Sequence, residues 1–175
     1  MVKIKKAIFF DRDGTLIKTF VSKNNNPVAI KILKDFRLIK NTKSVIKKLS
    51  NKYLIIVITN QPDVSRGKNK KKNVISINNK LKKVLKINKI YTCYSKDDKN
   101  YMRKPNPGMI YLAKKQFKLN LKKCFVVGDR DKDIKSGKKA GCKTVLLKKK
   151  YNNFNYSNPD FVIYNFKELL NIIKV

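Results

Sequence analysis

Two aspartates, Asp11 and Asp13, flank Arg12 at the end of an apolar run and are followed by Gly14 and Thr15. If the chain stays extended there, both carboxylates point the same way. Taken alone, the pair is equally an ordinary solvated loop, because Asp-Gly is a common turn. Three further segments give it weight. Thr59-Asn60-Gln61 offers a hydroxyl and backbone amides suited to phosphate oxygens, after another apolar run. Arg103-Lys104-Pro105 puts two cations ahead of a helical pattern, where a phosphate is favoured by charge and by the helix N-terminus. Gly128-Asp129-Arg130-Asp131-Lys132-Asp133 gathers three of the chain's 11 acids. In so basic a protein, that concentration points to a hard divalent cation held by oxygen. The same acids would also suit the first turn of a helix. The sequence contains no histidine. That excludes Ser-His-Asp and Cys-His mechanisms and histidine metal ligands, so catalysis must run on carboxylates, lysines, hydroxyls or an oxygen-held metal.

The elements that must position these residues alternate regularly. Ile4–Phe10 and Tyr53–Ile58 read as buried strands, Ile90–Tyr94, Cys124–Val127 and Thr144–Leu147 as further strands, and Phe161–Ile163 as an edge strand. Helical spacing follows a cap at Asn41 or Thr42, with Val45, Ile46 and Leu49 on the apolar face. It recurs over Asn73–Leu85, after an N-cap at Asn106 with Pro107 in the first helical position, over Asp131–Ala140 closed by Gly141, and over Phe166–Ile173. Asn152–Pro159 reads as a polar loop. This rhythm predicts an α/β, three-layer Rossmann-like fold with a mainly parallel central sheet, as a single domain over 1–175. Ligands of such sheets bind beyond the carboxyl ends of the strands, where the four segments fall.

Composition sets the context. The chain has 175 residues, 42% of them hydrophobic, enough for a packed core. Lys and Arg number 44 against 11 acids, a net charge of +33. Such a charge fits a polyanionic partner. Equally, it fits drift toward Lys, Asn and Ile, the residues of A/T-rich codons, and the spread of lysine along the whole chain favours drift. Either way the surface should attract phosphorylated substrates in a salt-dependent manner. The basic and apolar stretch at Met1–Phe10 reads as a first strand and not as a secretory signal, since it stops at Asp11 with no small-residue cleavage site. No apolar run approaches membrane-spanning length. Cys93, Cys124 and Cys142 form no disulfide pattern. The expectation is a cytoplasmic monomer.

In this order, Asp11-Arg12-Asp13-Gly14-Thr15, Thr59, Lys104 and Gly128-Asp129 with Asp133 resemble the signature of the haloacid dehalogenase-like hydrolases. Thr59 to Gly67, Arg103 to Met109 and Asp160-Phe161-Val162 are similar to the branch that holds heptose bisphosphate phosphatases and histidinol phosphatases. The resemblance implies a magnesium-dependent phosphatase acting on a sugar phosphate such as D-glycero-D-manno-heptose 1,7-bisphosphate. Asp11 would attack phosphorus to form an aspartyl-phosphate, and Asp13 would protonate the leaving oxygen and then activate water. Asp11, the Asp13 carbonyl and Asp129 would hold Mg2+, with Asp133 orienting its waters. Thr59 and Lys104 would grip phosphoryl oxygens. Asn60, Gln61, Arg103 and Arg130 would contact the remainder of the substrate.

Many members of this branch carry a zinc loop ahead of the Arg-Lys-Pro segment. Here only Cys93 of its ligands stands, with Ser95, Asn100 and Met102 in the other positions. One thiolate cannot build a tetrahedral site, so no zinc is expected. The intervals from Thr15 to Thr59 and from Thr59 to Lys104 are consumed by core elements, which leaves no room for a separate cap domain. Two alternatives remain open: a nucleic-acid 3′-end phosphatase, which Thr59–Gln61, Arg66–Lys68 and Arg103–Pro105 also resemble, and a non-catalytic basic nucleic-acid-binding module.

Overall fold

The computed structural model describes residues 5–151 and 158–174. Its centre is a six-stranded sheet, all of whose pairings are parallel. β1 (Ala7–Phe10) lies in the middle. β4 (Leu54–Asn60) and β5 (Lys89–Cys93) extend to one side, and β6 (Phe125–Gly128), β7 (Lys143–Leu147) and β8 (Phe161–Ile163) to the other. Between β1 and β6 the chain reverses the direction in which it adds strands, and a sheet of this kind opens a crevice at such a point. Asp11 and Asp129 leave the sheet on either side of it.

β1 explains why the sheet needs helices on both faces. Ile8 and Phe10 pack into one apolar cluster, while Ala7 and Phe9 pack into the other, and all four are fully buried. α1 (Thr42–Leu49), α2 (Lys71–Val84) and α5 (Leu169–Ile172) close the first face through Val45, Ile46, Leu49, Ile77, Leu81 and Leu169. α3 (Gly108–Phe117) and α4 (Asp131–Ala140) close the second through Met109, Ile110, Ala113 and Ala140. Between Ile17 and α1 the chain adds a short antiparallel ribbon, β2 (Phe20–Val21) paired with β3 (Pro27–Val28). The sequence reading did not find this ribbon: strands of two residues are too short to show a periodicity.

The expected elements are present with shifted ends. β4 runs on through Thr59 and Asn60, so those residues end the strand instead of following it. The N-cap of α3 is Pro107, with Gly108 as the first helical residue. Asn106 instead donates from its amide to the carbonyls of Asp98 and Asn100, binding the preceding loop. Asn41 occupies the N-cap of α1 in a left-handed conformation without a side-chain capping bond. The last helix begins as a 3-10 turn over Phe166–Glu168, capped by Asn165, before α5. Ile4, expected in the first strand, and most of the polar loop at Asn152–Pro159 lie outside the described residues. No helix among the described residues is long and apolar enough to cross a membrane.

Asp160 fastens the edge strand. Its Oδ2 accepts from the Thr144 amide at 2.7 Å and the Thr144 hydroxyl at 2.6 Å, joining the start of β8 to β7. Burial raises the Asp160 pKa, but the Thr144 bonds and Lys138 outweigh it and hold the carboxyl below its ordinary 3.8. A depressed folded-state pKa stabilises above the unfolded value, and that contribution is lost as pH falls through the folded one. Asp160→Asn is therefore expected to lose about 1–2 kcal/mol at neutral pH. Urea titrations of both proteins should show the gap closing below the ordinary aspartate range.

Candidate active site

The carboxyl edge of the sheet collects the charged residues. Asp11, Asp13, Asp129 and Asp133 are all nearly buried, as are Arg12, Arg103 and Lys104. Burying charge is costly unless each group finds partners. Here partners come from the ends of β1 and β4 and from α2 and α4.

Lys104 is the hub. Its Nζ donates to Asp11 Oδ1 at 2.6 Å, to Asp133 Oδ1 at 2.6 Å and to the Ile58 carbonyl at 2.8 Å, using all three ammonium protons. Burial alone would lower its pKa, but Asp11 and Asp133 outweigh that and hold the ammonium well above the usual lysine range. The backbone at Lys104 is fixed from β4: Asn60 donates to the Lys104 carbonyl and accepts from its amide, at 3.0 and 3.1 Å.

Asp13 faces a different set of partners. Arg12, fully buried, holds Asp13 Oδ2 through Nε at 2.9 Å and Nη2 at 2.8 Å. Its Nη1 donates to Asn78 of α2, which donates in turn to Thr92 of β5. Gln61 donates to both Asp13 Oδ2 and Thr59 Oγ1 at 2.8 Å. Asp13 Oδ1 is buried and has no hydrogen-bond partner among the described residues. Burial raises the Asp13 pKa, and so does the Asp11 charge, against the pull of Arg12 and Gln61. One oxygen is thus clamped and the other is left for a proton.

One oxygen from each of Asp11, Asp129 and Asp133 falls within a cluster whose atoms all lie within 4.8 Å of one another. Burial, followed by the charges of Asp11 and Asp133, pushes Asp129 up to about 7. Asp133 is also raised, by burial first and then by Asp11, with Lys104 opposing. Three close, buried carboxylates facing a single ammonium are a poor arrangement unless a cation joins them. The hard oxygen donor set fits a divalent ion such as magnesium. Asp129 is oriented by Thr15, whose hydroxyl donates to Oδ1 at 3.0 Å, and by Tyr151, which donates to Oδ2 at 2.7 Å. Burial and then the Asp129 charge raise the Tyr151 phenol, which keeps its proton.

Two glycines of the motifs have geometric reasons. Gly14 has φ +89°, and a Cβ there would lie 2.3 Å from Asp129 Oδ2. A Cβ on Gly128 would meet the Asp133 side chain at 2.3 Å. Asp133 Oδ2 accepts from the Arg130 amide at 3.0 Å, so one carboxylate both caps the start of α4 and pairs with Lys104.

A cavity of about 400 Å3 opens over these groups. Asp11, Asp13, Lys104 and Asp133 line it, together with Asn60 and Gln61. Around it stand cations from separate segments: Lys31, Arg66, Arg103, Arg130 and Lys132. Asp98 holds two of them, Arg103 at 2.8 Å and Lys132 at 3.2 Å. Arg130 Nη2 donates to the Pro27 carbonyl, tying the β2–β3 ribbon to the site. All ten site residues expected from sequence converge on this edge. Thr59, although turned toward Gln61, lies among them, and Asn60 is committed to the Lys104 backbone.

Sequence reasoning missed Arg12, Asn78, the ribbon and Tyr151. Asn78 carried a signal, because it follows Val74 by four residues and so interrupts the apolar stripe of α2. Arg12 carried none beyond its place between the aspartates, and Tyr151 reaches the site only through the fold.

Comparison with known proteins finds similar phosphatases. The sequence profile of the family described as Polynucleotide kinase 3 phosphatase matches residues 6–166. The D-glycero-alpha-D-manno-heptose-1,7-bisphosphate 7-phosphatase of Photorhabdus laumondii is 32% identical, with 84% of each chain covered. The D-glycero-beta-D-manno-heptose-1,7-bisphosphate 7-phosphatase of Helicobacter pylori is 30% identical, over 97% of this chain and 98% of the relative. Among solved structures, the D,D-heptose 1,7-bisphosphate phosphatase from B. bronchiseptica, complexed with magnesium and phosphate, superposes with a TM-score of 0.79. It shares 22% identity and covers 97% of this chain and all of its own, a likeness of fold.

Lys104→Met tests the hub. Its loss leaves Asp11 and Asp133 uncompensated, which should lower stability in chelator by about 3 kcal/mol at neutral pH. Acids without a counter-charge have folded pKa values above their unfolded ones, so they destabilise as pH rises through them. The deficit measured by denaturation should therefore shrink as pH falls toward about 5.

Proposed function

This chain belongs to the Polynucleotide kinase 3 phosphatase family of the haloacid dehalogenase-like hydrolases, and we propose that it is a magnesium-dependent sugar-phosphate phosphatase. The substrate we assign is D-glycero-D-manno-heptose 1,7-bisphosphate. Support comes from relatives of that name that match over nearly the whole of both chains. The observation that carries the chemistry is the Lys104 bridge between Asp11 and Asp133 beside the half-clamped Asp13.

In the first step an Asp11 carboxylate oxygen attacks phosphorus in line, and the bond from phosphorus to the sugar oxygen breaks. Asp13 gives its proton to that departing oxygen; its raised pKa favours the protonated form needed there. In the second step Asp13 takes a proton from water, which attacks the aspartyl-phosphate and releases inorganic phosphate from Asp11. Thr59 holds one non-bridging phosphoryl oxygen, and Lys104, whose three protons are engaged in the free site, exchanges one of its carboxylate bonds to hold another. Asp11, the Asp13 carbonyl and Asp129 would hold the magnesium ion, with Asp133 behind them; when bound, the ion neutralises charge on the transferring group. Arg103, Arg130 and Gln61 contact the sugar side of the substrate, and Asn60 keeps Lys104 in place.

Several finer points belong to the same reading. The chain works as one uncapped domain, with only the β2–β3 ribbon rising beside the cavity between Ile17 and α1. The net charge of +33 repels like copies and supports a monomer. Three buried free thiols support the reducing cytoplasm. No zinc is expected in the 93–106 loop, which hydrogen bonds help to order: Asn100 Oδ1 accepts from the Met102 amide, and Arg103 donates to the Ser95 carbonyl.

Phosphate release should be measured with magnesium across both anomers of the heptose bisphosphate, histidinol phosphate, other sugar phosphates and 3′-phosphorylated DNA. Turnover of a heptose bisphosphate far above the rest, abolished in Asp11→Asn, is the expected result. Preference for DNA would replace the substrate assignment, and turnover of none would overturn the reading. Metal analysis of the purified protein should find no stoichiometric zinc; one zinc per chain would refute the loop assignment.

A further inference from the structure

Tyr151 lies beyond the four signature segments, yet it reaches the centre of the site. Its hydroxyl donates to Asp129 Oδ2 at 2.7 Å, while Thr15 donates to Oδ1 at 3.0 Å. Both oxygens of this carboxylate are therefore gripped, one by each donor. Two of the roughly four acceptor directions of a carboxylate are used by these donors, which fixes its plane. The approach depends on Gly14, since a Cβ there would stand 2.7 Å from the Tyr151 oxygen.

Thr19, at the foot of β2, stands close enough to the phenol to oppose the rise in its pKa from burial and Asp129, so Tyr151 joins that end of the ribbon to Asp129. The next residue, Arg130, donates to the Pro27 carbonyl at the start of β3. Both strands of the ribbon are thus tethered to the Asp129-Arg130 segment, one through Tyr151 and the other directly.

We propose that Tyr151 is a positioning residue for the cation site, holding the Asp129 carboxylate in its binding orientation and coupling it to the β2–β3 ribbon. The proposal rests on the magnesium assignment above. A carboxylate already fixed in rotation loses less freedom on binding an ion, and partners of this kind behind a metal ligand typically change affinity by about 10–100-fold.

Isothermal calorimetry with Mg2+ alone, without substrate, tests it on wild type, Tyr151→Phe and Thr19→Val. Tyr151→Phe should raise the Mg2+ dissociation constant by about tenfold. The variant's melting temperature in chelator should fall by no more than a few degrees, as for one lost hydrogen bond. Thr19→Val should shift affinity the same way by less. Unchanged or tighter Mg2+ binding in Tyr151→Phe would overturn the proposal, as would a fall in melting temperature with affinity unmoved. No Mg2+ binding by wild type would instead overturn the cation site itself.

Discussion

One ammonium group organises this site. Lys104 spends all three protons on Asp11, Asp133 and the Ile58 carbonyl, and so links the ends of β1 and β4 to the start of α4. Without it, carboxylates would face one another in a region with little water, where like charges repel most strongly. The Asn60 side chain bonds both the amide and the carbonyl of Lys104, so the cation is delivered by a fixed backbone. A mobile lysine in a chain of such excess positive charge could not be relied on to do this.

Around that hub Asp11 and Asp13 are given different environments. Asp11 faces Lys104, whereas Asp13 has one oxygen clamped by Arg12 and Gln61 and the other left without a partner. Two carboxylates so treated are suited to separate duties, one as nucleophile and one as a carrier of protons. Arg12 also explains a part of α2 that packing alone does not. Asn78 stands on its apolar stripe to meet the guanidinium of Arg12 and the hydroxyl of Thr92. The core face of that helix therefore serves the active site as well as the sheet.

The excess of basic residues reads differently once the fold is known. Four of the 11 acids are buried in the site beside three buried cations, so nearly the whole positive excess stands on the outer surface. Several remaining acids are engaged with nearby cations: Asp98 with Arg103 and Lys132, Asp131 with Lys135, and Asp160 with Lys138. Exposed pairs of this kind contribute little to stability. At the cavity their value lies in fixing where Arg103 and Lys132 stand, which a phosphorylated substrate would sense on approach.

The sequence by itself determined the strand and helix alternation, the parallel sheet, and the residues that gather at its carboxyl edge. These follow from short-range rules: buried parallel strands are continuous apolar runs, and loops at one edge carry the polar residues. Helix ends were less legible. Asn106 gave up its expected capping role for a loop contact, because an amide can satisfy several competing partners. Only the tertiary structure decided that Arg12 would be fully buried, that a two-strand ribbon would stand over the cavity, and that Tyr151 would close on Asp129. Each of those outcomes pairs a polar side chain with a partner distant in sequence, and its stability comes from leaving water only where that partner is already waiting. Local pattern carries no record of such a partner, so the fold had to supply it.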